Sequence, residues 1–232
     1  MIKIKGFEKT SLVDWEGKIS SVIFLPLCNF ACGYCHSWPL VKDWQILPDF
    51  SLEKILKFLE KKKGWIDGVV ITGGEPTLHG SDLKFLLKKI KEVGFLTKID
   101  TNGSNPDLLE ELIEEKIVDY IAMDIKSSPE KYEKATKTKV NLKKINQSIE
   151  LLITKNLDYE FRTTVVPGIV EEKDIIKIGS WIKGAKVYAL QQFRNIDVAQ
   201  KEYTQINTYS KEEIQRMISS LKGKVNKIII RA

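Results

Sequence analysis

All three cysteines of the chain fall within one eight-residue stretch, Cys28-Asn29-Phe30-Ala31-Cys32-Gly33-Tyr34-Cys35, at C-x3-C-x2-C spacing. A structural zinc site takes four protein ligands, so three thiolates are one short of closing it. A cubane iron-sulfur cluster has four irons, and three cysteines suit a cluster with one iron left open to a further molecule. The same residues also read as a zinc site completed by His36, as a disulfide beside a third thiol, or as three unrelated buried cysteines. Buried cysteines scatter rather than cluster, and a cytosolic chain seldom keeps disulfides, so the cluster reading leads.

Four more polar motifs follow: Gly73-Gly74-Glu75-Pro76, Asp100-Thr101-Asn102-Gly103, Asp124-Ile125-Lys126, and Arg162-Thr163-Thr164-Val165-Val166-Pro167-Gly168. In the first, paired glycines let the backbone approach a bound molecule, Glu75 supplies an acceptor and Pro76 stiffens the exit. That is a cradle for the head of an amino acid, or an ordinary turn. Asp100 closes a strand and should point its carboxylate into a mouth, whereas Asn102 and Gly103 also fit a plain loop into the next helix. Asp124 and Lys126 are two apart and share a face, as a ligand pair or an ion pair. Arg162 sits inside a strand, where a buried cation demands either a ligand carboxylate or Asp124. His79, after Gly-Gly-Glu-Pro-Thr-Leu, reads as a loop residue.

Strand and helix alternate around these motifs. Strands are expected at Ile2 to Phe7, Ser20 to Leu25, Val69 to Thr72, Leu96 to Thr101, Tyr120 to Asp124, Tyr159 to Val166, Lys186 to Gln191 and Lys227 to Ile230. Helices are expected from the Ser51 N-cap, over Ser81 to Val93, Pro106 to Glu115, Pro129 to Lys134, Leu142 to Asn156, Glu171 to Lys183 and Lys211 to Leu221, with an irregular lobe at Trp38 to Phe50. Alternation of this kind gives parallel strands joined by right-handed crossovers. Six central units fall short of a full eightfold barrel, which takes about 250 residues. Every motif follows, or lies within, the C-terminal part of an expected strand, the edge where parallel α/β folds bind ligands.

At 232 residues and 43% hydrophobic content, the chain can bury one sizeable core, and a single domain over 1–232 is expected. No apolar run approaches the roughly 18 residues of a membrane span, and the alternating Ile2-Lys3-Ile4-Lys5 is unlike a signal peptide, so a cytoplasmic protein with no membrane partner is expected. The net charge of +6 sits on Lys-rich helical segments interleaved with Glu, which argues for solvated faces over nucleic-acid binding. A basic rim could also steer an acidic redox protein.

The cysteine spacing with Tyr34 before the last cysteine resembles the signature of the radical S-adenosylmethionine (radical SAM) enzymes. The ordered set of motifs, from Gly6-Phe7-Glu8-Lys9-Thr10-Ser11 to about Gln192, resembles the glycyl-radical-enzyme activases, most closely those of the anaerobic ribonucleotide reductase. The resemblance implies an α/β fold, a partial (β/α)6 barrel of the radical SAM type with short N- and C-terminal extensions. It implies a [4Fe-4S] cluster on Cys28, Cys32 and Cys35, and SAM held by Tyr34, His36, Gly73, Gly74, Glu75, Asp100, Thr101, Asn102, Asp124, Lys126 and Arg162. Tyr34 and His36 would lie on the adenine side, and Gly73 to Glu75 at the methionyl amino group. By analogy with the pyruvate formate-lyase activases, the acidic positions leave room for a monovalent cation. The implied reaction is reductive cleavage of SAM and abstraction of hydrogen from a glycine Cα of a partner glycyl radical enzyme, with electrons from a low-potential donor such as flavodoxin or ferredoxin.

Two departures qualify the resemblance. Relatives often have Asn where this chain has Ser37, and Leu190-Gln191-Gln192-Phe193 lacks the histidine that pyruvate formate-lyase activases carry beside the cofactor. The second favours the reductase. The alternatives are an activase of pyruvate formate-lyase or another glycyl radical enzyme, and a radical SAM enzyme acting on a small molecule or RNA base, such as the deazapurine synthases. The non-enzyme readings are an iron-sulfur electron carrier and a zinc-bound interaction module.

Overall fold

The computed structural model describes residues 2–231, which fall into two compact units interleaved in sequence. The first runs to Asn29 and adds Ser37–Thr101 and Asn105–Ile121; the second takes Phe30–His36, Asn102–Ser104 and the chain from Ala122 onward.

In the first unit, β1 (Gly6–Ser11) pairs antiparallel with β2 (Ser20–Leu25), and β2, β3 (Gly68–Gly73) and β4 (Leu96–Thr101) run parallel. Val22, Ile23, Leu25, Val69, Val70 and Ile71 are fully buried, the unbroken apolar run of strands covered on both faces. The β2–β3 register, Ser20 opposite Gly68 through Leu25 opposite Gly73, has a consequence for the site. Both strands end level, so the segment entering Cys28 emerges beside the Gly73-Gly74-Glu75-Pro76 loop.

Helices α1 (Trp38–Lys42), α2 (Leu52–Glu60), α3 (Gly80–Val93) and α4 (Pro106–Glu114) belong to the same unit. The Ser51 side chain accepts from the Lys54 N–H, and Lys57 pairs with Glu53 at 2.6 Å, as the sequence predicts for the α2 start. In α3, Leu83, Leu86, Leu87 and Ile90 form one buried stripe, and Gly94 at φ +99° takes the left-handed position that stops the helix.

Two expectations change. The first strand is Gly6–Ser11 rather than Ile2 to Phe7. Ile4 and Lys5 are both buried, and the Ile4 carbonyl accepts from the Phe50 N–H; pairing with β2 runs from Gly6 to Glu8, shifts register, and resumes at Ser11. The segment Trp38 to Phe50 is also more ordered than its composition suggests. It holds α1, with Pro39 in its first turn, and a 3-10 turn at Trp44–Ile46.

Strand β5 (Tyr120–Asp124) carries the chain from the first unit into the second. There β6 (Asp158–Val165), β7 (Val187–Gln192) and β8 (Lys227–Arg231) run parallel in chain order. Around them lie α5 (Tyr132–Thr136), α6 (Leu142–Thr154), α7 (Glu172–Trp181) and α8 (Lys211–Ser219). Buried Glu160 of β6 receives both guanidinium arms of Arg231 of β8, at 2.8 and 2.6 Å, which satisfies a carboxylate that could not stay charged alone. Among the described residues, no helix is long and apolar enough to cross a membrane.

Candidate functional site

In the first unit the candidate residues gather where β2, β3 and β4 end. Gly73 has φ +120°, and a Cβ on Gly74 would stand 1.8 Å from the Leu27 carbonyl oxygen. The paired glycines thus let this loop press against the chain leading to Cys28, a use of close approach that sequence reasoning had assigned only to a ligand. The Gly74 N–H donates to Leu25 O at 2.9 Å and the Glu75 N–H to Leu27 O at 2.7 Å. Gly74→Ala is expected to lower stability by about 2–4 kcal/mol, measured as a shift of the urea midpoint at unchanged slope.

Glu75 is buried, and its Oε1 accepts from the Thr77 N–H (3.0 Å), the Thr77 hydroxyl (2.6 Å) and the Thr101 hydroxyl (2.8 Å). Thr101 therefore joins the Gly73 to Glu75 loop, as a brace for the carboxylate. Asp100, one residue earlier on β4, stands 3.3 Å from the ammonium of Lys98. Lys98 is itself buried and donates to the Asp14 carbonyl. It is a buried cation that the sequence reading missed, and its place two residues before Asp100 on one strand face was the available signal.

In the second unit Asp124, Lys126 and Arg162 come together. The Asp124 carboxylate accepts from Arg162 Nε at 2.8 Å through Oδ1 and from Lys126 Nζ at 2.9 Å through Oδ2. Asp124, one of the two partners expected for Arg162, is in contact with it. Burial would raise the Asp124 carboxyl, but Arg162 and Lys126 hold it well below the usual carboxylate range. Burial also works against the charge on Lys126, and Asp124, then Cys32 and Tyr34, more than offset it, so Lys126 stays a cation far into alkali. The Asp124 carboxylate is thus shared between two cations.

Lys126 also acts on Cys32. The thiol is pushed up by burial, and Lys126 and a hydrogen bond from Tyr34 pull it back toward the thiolate. The end of β5 that carries these groups is fixed from β6 and β7: Tyr188 donates to Thr163, Thr163 to the Ile125 carbonyl, and Ile125 N–H to the Arg162 carbonyl, each at 2.8 Å.

Tyr34 is buried against Tyr203 at 6.0 Å between ring centres, and Phe193 contacts both Tyr203 and His36 at 6.4 Å. His36 is exposed, and its Nε2 donates to the Arg194 carbonyl at 2.9 Å. The segment 199–203 braces the cysteine loop, with Ala199 and Gln200 N–H groups donating to the Cys35 and Gly33 carbonyls. No motif flagged this segment in the sequence, because its contacts are to backbone. Asn102 Oδ1 accepts from Ser104 N–H at 3.0 Å, the plain loop role.

No cysteine is in a disulfide. Among the described residues, no three His, Cys, Asp or Glu side chains are grouped as a site for one metal ion. A cubane asks for something else, since it spreads its thiolates over separate irons. The donor set and surroundings fit such a group: soft sulfur ligands and a lysine that favours the Cys32 thiolate. Asp100 and Asp124 each already face a lysine, which reduces the charge they offer a monovalent cation.

The sequence profile of the Radical SAM superfamily matches residues 22–178. Over 232 residues the chain is 33% identical to a protein of Methanocaldococcus jannaschii provisionally named a glycyl-radical enzyme activating enzyme, covering 98% of this chain and 95% of that one. It is 35% identical over 133 residues to the pyruvate formate-lyase-activating enzyme of Clostridium pasteurianum, covering 54% and 53% of the two chains. A solved domain of a pyruvate-formate lyase-activating enzyme from Bacteroides vulgatus superposes with a TM-score of 0.59 at 21% identity, covering 72% of this chain and 99% of that domain. The fold class is thus the one expected, α/β of the partial-barrel type.

Proposed function

Because the chain belongs to the radical SAM superfamily, in the branch of the glycyl-radical-enzyme activating enzymes, we propose that it installs the glycyl radical of an anaerobic ribonucleotide reductase. It is an enzyme of the radical SAM oxidoreductase type. The observation that carries the site assignment is the placement of buried Cys32 in the field of the Asp124, Lys126 and Arg162 set.

On this reading Cys28, Cys32 and Cys35 hold a [4Fe-4S] cluster, which with bound SAM supplies the electron and the radical that removes a glycine hydrogen. The residues of the chain bind and align. Gly73 to Glu75 receive the methionyl amino group, and Asp124, Lys126 and Arg162 contact the cofactor. Asp100, Thr101 and Asn102 line the cofactor, and Tyr34 and His36 stand on its adenine side. Tyr34 also shields Cys32 from water. No side chain has to act as an acid or base, so the protein's contribution is orientation and electrostatics.

The five passages of the chain between its two units, after residues 29, 36, 101, 104 and 121, favour one domain over two, since separate domains join by few linkers. The charge of +6 suits an acidic flavodoxin or ferredoxin as donor, and a reducing cytoplasm suits the thiolates.

The reductase is preferred over pyruvate formate-lyase because the segment Leu190-Gln191-Gln192-Phe193, where pyruvate formate-lyase activases carry a histidine beside the cofactor, has none; the Gln192 amide donates instead to the Tyr209 carbonyl at 3.0 Å. The likeness to a pyruvate formate-lyase-activating enzyme keeps that enzyme as the second reading. Anaerobic incubation of the reconstituted protein with SAM, dithionite and each candidate enzyme decides between them. A glycyl doublet on the reductase is expected; a doublet on pyruvate formate-lyase alone contradicts the choice.

A further inference from the structure

We propose that His79 is a positioning residue that fixes Cys28 against the Gly73 to Glu75 loop by donating from Nε2 to the Pro26 carbonyl. The inference rests on the reading of Cys28 as a cluster ligand and adds to it the means by which that cysteine is held.

Three consecutive carbonyls lead into Cys28, and each is bonded by the loop that follows β3. Leu25 O accepts from Gly74 N–H at 2.9 Å, Pro26 O from His79 Nε2 at 2.8 Å, and Leu27 O from Glu75 N–H at 2.7 Å. The first and third donors are backbone and would survive most substitutions. The middle one is a side chain 53 residues away in sequence, so it alone is specified by residue type. A carbonyl can only accept, so this bond requires a proton on Nε2 of His79.

The next residue shows why the segment needs holding. Leu27 has φ +71°, in the left-handed region that a bulky side chain avoids, and it is 42% exposed, so burial of its side chain is incomplete. Its conformation is kept by hydrogen bonds instead: Leu27 N–H donates to Leu40 O at 2.9 Å while its carbonyl accepts from Glu75. Loss of the Pro26 contact frees the residue just before the strained one, and the strain then has a way to relax. Relaxation there turns the chain at the very point that aims Cys28.

His79 is well placed to resist this. It ends the 3-10 turn Pro76–His79, whose start is capped by the Glu75 carboxylate, and Gly80 at φ +47° then opens α3. Asn105 Nδ2 holds the same turn through the Thr77 carbonyl at 3.1 Å. The imidazole is thus mounted on the loop assigned to the methionyl amino group, and one rigid piece sets both that loop and Cys28.

The test compares His79→Ala with His79→Gln, whose amide Nε2 can reproduce the donor. In the apo protein, hydrogen exchange at the Leu27 and Cys28 amides is expected to quicken about tenfold in the alanine variant and to return to the wild-type rate in the glutamine variant. In the reconstituted protein, His79→Ala is expected to bind SAM about tenfold more weakly, with an altered SAM-bound EPR signal of the reduced cluster, and His79→Gln to restore both. Exchange and SAM affinity that are unchanged in His79→Ala overturn the proposal, as does a glutamine variant that behaves like alanine. If the wild-type protein takes up no cluster, the functional reading fails, while the apo exchange rates still decide whether His79 holds the segment.

Discussion

Cys32→Ala is expected to reduce iron and sulfide after anaerobic reconstitution from about four of each per chain to background, and SAM cleavage with them. Cys32 is the most constrained of the three thiols, buried between the Tyr34 contact and the cationic surroundings of Lys126. Two remaining thiolates leave two irons of a cubane without protein ligands, and no other cysteine exists to substitute. The fold should survive, because alanine is small and apolar and replaces a neutral buried thiol with little change in packing. Far-UV circular dichroism of the variant close to wild type, with the iron gone, separates ligand loss from unfolding. Full iron content in Cys32→Ala contradicts the ligand assignment.

The second large effect is expected at Asp124. Asp124→Asn keeps the shape of the side chain but leaves Arg162 and Lys126 facing each other without their shared anion. Removing one partner of a fully buried set costs about 3–5 kcal/mol; Asp124 keeps part of its side chain in contact with water, so about 2–4 kcal/mol is expected here. Adding Arg162→Met removes one of the two cations that faced Asp124 and should recover part of the loss, a coupling read from the double-mutant cycle. The pH dependence has a definite sign. Because the folded carboxyl lies below its unfolded value of about 3.9, the stabilisation is complete above about pH 5 and is lost as pH falls through the depressed folded value. The gap in urea stability between wild type and Asp124→Asn should therefore stay constant from about pH 5 to 8 and narrow below about pH 4. A gap that widens in acid contradicts the assigned anchor.

Much of this site was legible in the sequence because its parts lie where local pattern is strong. Short β-branched runs such as Val69-Val70-Ile71 fixed the strands, and motifs placed just after them had to emerge at one strand edge. The pairing of Asp124 with Lys126 followed from their two-residue spacing, and the need of Arg162 for an anion from its place inside β6. What could not be read were contacts between side chain and distant backbone. His79 had no pattern to announce its bond to Pro26, and Gln200 and Tyr203, which pack against Gly33, carry no motif at all. Burial of Lys98 was hidden because a lysine in a strand ordinarily points to water. The first strand was misplaced for a related reason: a ladder is set by the partner strand, and β2 pairs from Gly6 onward whatever the alternation before it.

The most direct test is EPR of the dithionite-reduced, anaerobically reconstituted protein recorded without and with SAM, alongside chromatography for 5′-deoxyadenosine. A cluster with one iron open to the cofactor predicts a paramagnetic signal that changes shape when SAM is added and a product that accumulates with it. A protein that carries stoichiometric zinc, or a cluster whose signal ignores SAM and yields no 5′-deoxyadenosine, contradicts a three-cysteine site built to leave one iron free.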